Sequence, residues 1–122
     1  MPHNRRESYR CFVGIPSSVQ LGPNHAALPT IIRDISISGF AIVCDKEFEI
    51  EPDRVIHVLL KDYLEELSEN FIYELYGHVA RTQQLENGKF LYGCRLNNTS
   101  PQLDAYIMKK ERLRLKKTHG GK

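Results

Sequence analysis

The chain has 122 residues, 41% of them hydrophobic and 26% charged, with a formal net charge of +2. That is one domain's worth of chain, of ordinary globular composition and able to close a modest core without metal or disulfides, and no apolar run approaches the ~20 residues of a membrane-spanning helix. Residues 1–10 hold three arginines and one acid, residues 109–122 seven Lys or Arg and one acid, and residues 11–108 seven bases and thirteen acids. Basic ends on an acidic body do not make the broad basic surface of a general nucleic-acid binder. They suit a small anionic ligand held at one end of the fold, or a basic helix facing a partner.

Residues 1–8 are polar and without periodicity, which predicts a flexible, arginine-bearing segment, and the Met-Pro-His-Asn-Arg-Arg start has no apolar stretch behind it to read as a secretory signal. Tyr9 to Ile15 is β-favouring and is expected to stop at Pro16, with Val19 to Leu21 resuming after a Pro-Ser-Ser turn. Gly22 to Pro29 has loop composition. Thr30 to Ser36 alternates, with Ile31, Arg33 and Ile35 on one face and Ile32, Asp34 and Ser36 on the other. Gly39 breaks that run, and Phe40 to Cys44 is apolar throughout, as in a central strand.

The next strand, Arg54 to Lys61, sets Val55, His57 and Leu59 against Ile56, Val58 and Leu60. Asp62 to Asn70 is acidic, with Tyr63, Leu64 and Leu67 spaced for one helical turn. Phe71 to Gln83 is a long strand in which Gly77 marks a bulge or bend, Asn87-Gly88 is a hairpin turn, and Phe90 to Leu96 is the last strand. The period then changes from two to 3.6. Helix entry is expected at Thr99-Ser100-Pro101-Gln102, either with Ser100 as N-cap and Pro101 at the first position or with Thr99 and Gln102 as a capping box. Leu103, Tyr106 and Ile107, with Met108 as a further candidate, form its apolar face, Lys109 to Lys117 extends it as a basic amphipathic stretch, and Gly120-Gly121 ends it. Six or so short antiparallel strands with turn signals between them point to a small closed or nearly closed barrel, with one C-terminal helix covering an open end.

Cys11, Cys44 and Cys94 are an odd set without close pairs, each in an apolar run, and read as buried, reduced, structural thiols in a cytoplasmic protein. The five scattered histidines do not pair with them at metal-ligand spacing, so no metal site is expected. No P-loop, Gly-x-Ser-x-Gly or nucleophile–base pair is present, and no catalytic residue is assigned. A small-barrel RNA binder would want exposed aromatics among bases; Tyr73, Tyr76, Phe90 and Tyr92 lie among acids and read as core and barrel staves.

Two segments stand out together. Arg6-x-x-x-Arg10, preceded by Arg5, is followed about two dozen residues later by Asp34-x-Ser36-x-x-Gly39. At this pairing the sequence resembles the PilZ domain, a bacterial receptor for cyclic di-GMP whose signature is R-x-x-x-R followed by D/N-x-S-x-x-G. The resemblance runs from about Arg5 into the C-terminal helix. It implies a six-stranded antiparallel β-barrel with a trailing helix over residues 9–117, residues 118–122 as a tail, and Arg5, Arg6, Arg10, Asp34, Ser36 and Gly39 as the cyclic di-GMP site.

The residue types fit that ligand. Arginine's fork pairs with phosphate oxygens or with guanine O6 and N7, and its plane stacks on a base. A carboxylate such as Asp34 can take guanine's N1–H and N2–H together. Ser36 offers a hydrogen bond to base or phosphate, and Gly39 permits positive φ or a close approach of backbone to ligand. With one domain in the chain, the implied function is a receptor that changes conformation on binding and signals to a separate effector protein. It would need no cofactor, nucleic-acid contact or membrane insertion. The alternative within the same fold is an adaptor that binds only protein.

Overall fold

The computed structural model describes residues 11–22, 24, 26–49 and 54–120. The flexible segment expected at residues 1–8, with Arg5 and Arg6, and the neighbouring Tyr9 and Arg10 lie outside the described residues. Six strands follow in order: β1 (Cys11–Gln20), β2 (Leu28–Ile35), β3 (Gly39–Cys44), β4 (Val55–Leu64), β5 (Glu69–Gln84) and β6 (Phe90–Leu96); one helix, α1 (Pro101–Gly120), closes the chain. Every strand pairing is antiparallel. Around the ring the order is β1, β2, β3, β6, β5, β4, and β4 returns to β1, so the sheet is a closed barrel.

Alternation puts the core inside. Ile56, Val58 and Leu60 of β4 are fully buried, as are Ile32 of β2, Phe40 and Ile42 of β3 and Leu75 of β5, which matches the period-two reading of those stretches. Helix α1 adds Leu103, Tyr106 and Ile107 to the same core. Its entry uses the first of the two capping schemes: the Leu103 N–H donates to Ser100 Oγ (3.2 Å) and the Asp104 N–H to the Ser100 carbonyl (3.0 Å), so Ser100 is the N-cap and Pro101 sits where a missing N–H does no harm. Among the described residues, no helix is long and apolar enough to cross a membrane.

Several local expectations are corrected. Pro16 does not end β1, which runs through it to Gln20. Pairing with β4 begins only at Ser17, so among the described residues no strand lies beside that edge of β1 at Pro16, and its missing N–H interrupts no ladder with β4. The helical turn expected around Tyr63, Leu64 and Leu67 is shifted: Tyr63 and Leu64 belong to β4, and a 3₁₀ turn occupies only Glu65–Leu67. Gly77 is not a bulge. The register of β5 against β6 slips between Val79 and Arg81 instead. Gly77 is where β5, already paired with β4, first meets β6 as well, and a Cβ there would run into the Arg95 carbonyl oxygen and the Phe40 ring. Tyr76 is no barrel stave: it is exposed and stacks on His57, centroids 4.6 Å apart. The helix extends to Gly120, past the Lys117 boundary, up to the glycine pair read as its stop.

The three cysteines are free and buried. Burial pushes the Cys94 thiol up to about 12 and the Cys44 thiol up to about 11, with smaller contributions from the neighbouring Cys44 and Asp45 charges respectively. Cys11 is likewise pushed up to about 11, first by burial and then by a hydrogen bond to the Glu111 carboxylate. Since the thiolate is the nucleophile, all three thiols should react slowly with a disulfide reagent at pH 8 in the native protein. In denaturant all three should react at the rate of a free cysteine, a contrast read directly by absorbance.

Candidate functional site

The Asp34–Gly39 stretch is the end of β2, a tight turn and the first residue of β3. Ser36 builds the turn. Its N–H donates to the Gly39 carbonyl (2.8 Å), and its Oγ accepts the N–H groups of Ser38 and Gly39 (3.2 Å each). The side chain thus takes the role of a backbone acceptor, the usual device of a serine turn. The hydroxyl is neither an exposed strand group nor open to solvent: Ser36 is buried. The turn is also held from a third strand, where the Leu96 N–H donates to the Ser38 carbonyl (3.0 Å).

Gly39 has no positive φ; among the described residues only Ser68, Gly14 and Gly88 do. The close approach that requires it is to β6, because a Cβ at residue 39 would lie 2.5 Å from the Cys94 carbonyl oxygen. Gly39 is therefore a packing requirement of the β3–β6 pair. Gly39→Ala should cost about 1–3 kcal/mol by overpacking against backbone. Ser36→Ala, which leaves the buried Gly39 N–H without an acceptor, should cost a similar amount, roughly 1–3 kcal/mol. Both are read as a lower urea midpoint at unchanged slope.

Asp34 lies one turn upstream with its side chain fully buried, 0% exposed. Arg33 meets it: Nε donates to Asp34 Oδ2 at 2.8 Å, and Nη2 lies 2.8 Å from the same oxygen. Alternation put Arg33 on the face opposite Asp34, so this pairing was not expected from the sequence. The guanidinium also stands over the Phe12 ring, 5.8 Å from its centroid, within cation–π range.

The register brings the two halves of the sequence signature to one place. Cys11 pairs with Ile35 and Phe12 with Asp34. Arg10 precedes Cys11 in the chain, so the arginine segment is joined to the barrel beside the Asp34–Ser36 end of β2. Phe12 is 62% exposed and continues into a cleft of about 520 Å³ between the start of β1, the end of β4 and α1, lined among others by Val13, Tyr63, Leu113 and Arg114. Helix α1 is clamped alongside. The Tyr106 hydroxyl donates to Asp62 Oδ2 (2.8 Å), Lys110 Nζ lies 3.0 Å from the same oxygen, and the Tyr106 ring stacks on Phe71 at 4.1 Å. Burial, then the Asp62 carboxylate, push the Tyr106 phenol far above its ordinary range. Among the described residues no cluster of three His, Cys, Asp or Glu side chains is arranged to hold a metal ion.

The family model of the PilZ domain matches residues 4–109, which is most of the chain. The chain belongs to the PilZ domain family. Two solved structures share the fold. The inhibitor of motility (MotI/DgrA) of Bacillus subtilis superposes with a TM-score of 0.71 at 16% identity, covering 88% of this chain and 50% of that one. YcgR of Escherichia coli, solved in complex with c-di-GMP, superposes with a TM-score of 0.63 at 13% identity, covering 93% of this chain and 49% of that one. This PilZ domain thus spans about half the length of each. Among curated protein sequences, none matches.

Proposed function

We propose that this PilZ domain is a cytoplasmic cyclic di-GMP receptor, regulatory rather than enzymatic, that signals to a separate effector protein. The observation that carries the reading is the register of β1 on β2, with Cys11 opposite Ile35 and Phe12 opposite Asp34. It sets the start of β1, to which the arginine segment is joined, beside the carboxylate and turn of the D-x-S-x-x-G motif. Arg6 and Arg10 take the phosphates or the guanine O6/N7 edge as bidentate donors; Arg5 adds a third guanidinium. Asp34 accepts N1–H and N2–H of one guanine. Ser36 and Gly39 hold the turn that fixes where Asp34 stands, and the Ser36 hydroxyl is a further hydrogen-bonding group at the same place.

The energetics suffice. Micromolar affinity needs about −8 kcal/mol, and hydrogen bonds to charged groups contribute roughly 1.5–3 kcal/mol each, so three such residues and base stacking reach it after ordering costs. Calorimetric titration with cyclic di-GMP should give micromolar or tighter binding that weakens as salt rises, because phosphate contacts are screened. Arg6→Ala and Arg10→Ala should each weaken it by about tenfold or more, equivalent to about 1.4 kcal/mol, with the unfolding midpoint unchanged. Cyclic di-AMP, which lacks the paired donors, should compete poorly with the wild type, and Asp34→Ala should narrow that gap. No heat of binding in the wild type would leave the protein-only adaptor as the reading of this fold.

A further inference from the structure

We infer that Arg33 is a built-in stand-in for the ligand's base: its guanidinium occupies the Asp34 carboxylate in the free protein, and a guanine edge must displace it. The inference rests on the cyclic di-GMP reading above and adds the regulation of that same site.

Successive side chains on a strand point to opposite faces, so neighbours such as Arg33 and Asp34 do not ordinarily meet. Here the backbone is rearranged at this residue. Against β3, Ile32 pairs with Ile42 and Asp34 with Ala41, which leaves Arg33 as an extra residue without a partner. Against β1, Phe12 pairs with Asp34 and Ile15 with Ile32, so Val13 and Gly14 face Arg33 alone, and Gly14 has the left-handed φ of +64° that such a bulge uses. Two irregularities, one on each side, converge on Arg33. A bulge re-aims a side chain, and this one turns the guanidinium toward Asp34.

The pair is half inside and half outside. Asp34 is 0% exposed and Arg33 is 41% exposed, so the solvent-facing member is the guanidinium. Its Nε–H and Nη2–H are adjacent coplanar donors, both 2.8 Å from Oδ2. Guanine's N1–H and N2–H are the same motif: two adjacent N–H donors in one plane. Adenine has no such pair on its Watson–Crick edge. A ligand that offers the matching edge can replace both Arg33 donors on Oδ2 with two of its own, and one that lacks it gives up that paired, charge-assisted contact. The exposed Phe12 ring beneath the guanidinium gives either planar group a surface to stack on. Arg33 is therefore a specificity-determining residue that acts by competition, and the free protein binds with its site occupied from within.

Competition of this kind lowers apparent affinity by the fraction of molecules whose carboxylate is available. Relieving it should tighten binding. The test titrates cyclic di-GMP and cyclic di-AMP into the whole domain as wild type, Arg33→Lys and Arg33→Ala, with circular dichroism to check the fold. Arg33→Lys keeps the positive charge near the phosphates and removes the planar fork. The expected result is cyclic di-GMP binding tighter by about threefold to tenfold in Arg33→Lys, as release of a partly exposed ion pair implies, with a lower melting temperature of the free protein and a larger ligand-induced rise. Arg33→Ala should show the same signs. Weaker binding in Arg33→Lys would make Arg33 a ligand contact and overturn the inference, and so would unchanged affinity. Binding seen only in the variants would support it. Absence of binding in all three proteins would overturn the nucleotide reading itself, and the stand-in with it.

Discussion

Everything at this site depends on how closely β3 runs beside β6. The barrel closes only if the chain leaving β2 reverses within three residues and delivers residue 39 against the Cys94 carbonyl, with no room for a side chain. Gly39 meets the second demand and Ser36 the first, by lending its hydroxyl to the Ser38 and Gly39 amides. These contacts are short, buried and local. They fix the end of β2, and hence the position of Asp34, with the stiffness of the barrel itself. A carboxylate held in this way presents its oxygens in one fixed direction, whereas a loosely held acceptor pays little attention to donor geometry.

The same closure creates the irregularity beside the carboxylate. A six-stranded ring must bend sharply, and bulges are where strands bend. One falls in β1 at Gly14 and one in β2 at Arg33, side by side. Their joint effect is to bury Asp34 and Ile35 in sequence and to bring the Arg33 guanidinium onto its neighbour. The start of β1, leading back to the arginine segment, lies beside α1, where the Glu111 carboxylate helps to push the Cys11 thiol up. Helix α1 is in turn held by Tyr106 and Lys110 on Asp62. A change at Cys11 therefore has a short physical route to α1.

Much of this was legible in the residues. Alternation in β4 and at the start of β2, the Asn87-Gly88 turn and the switch to a 3.6 period after Ser100 are local signals, and the barrel with one helix followed from them. The spacing of Arg6, Arg10, Asp34, Ser36 and Gly39 pointed to the PilZ family. What the sequence did not reveal is set by register between distant strands. Pro16 survives within β1 because of where β4 begins to pair. Arg33 and Asp34 were placed on opposite faces because strict alternation says so, and only the bulge brings them together. Gly39 was read through ligand or positive φ because Cys94, the group that needs it to be glycine, is far away in the chain.

Amide hydrogen exchange with and without saturating cyclic di-GMP tests the central claim most directly. On this account the ligand joins the arginine segment to the Asp34 end of the barrel. Exchange at residues 5–12 should slow markedly on binding, while the amides of Phe40–Cys44, already locked between β2 and β6, barely change. Protection that appears at α1 or the β4–β5 hairpin while residues 5–12 exchange as before would contradict it.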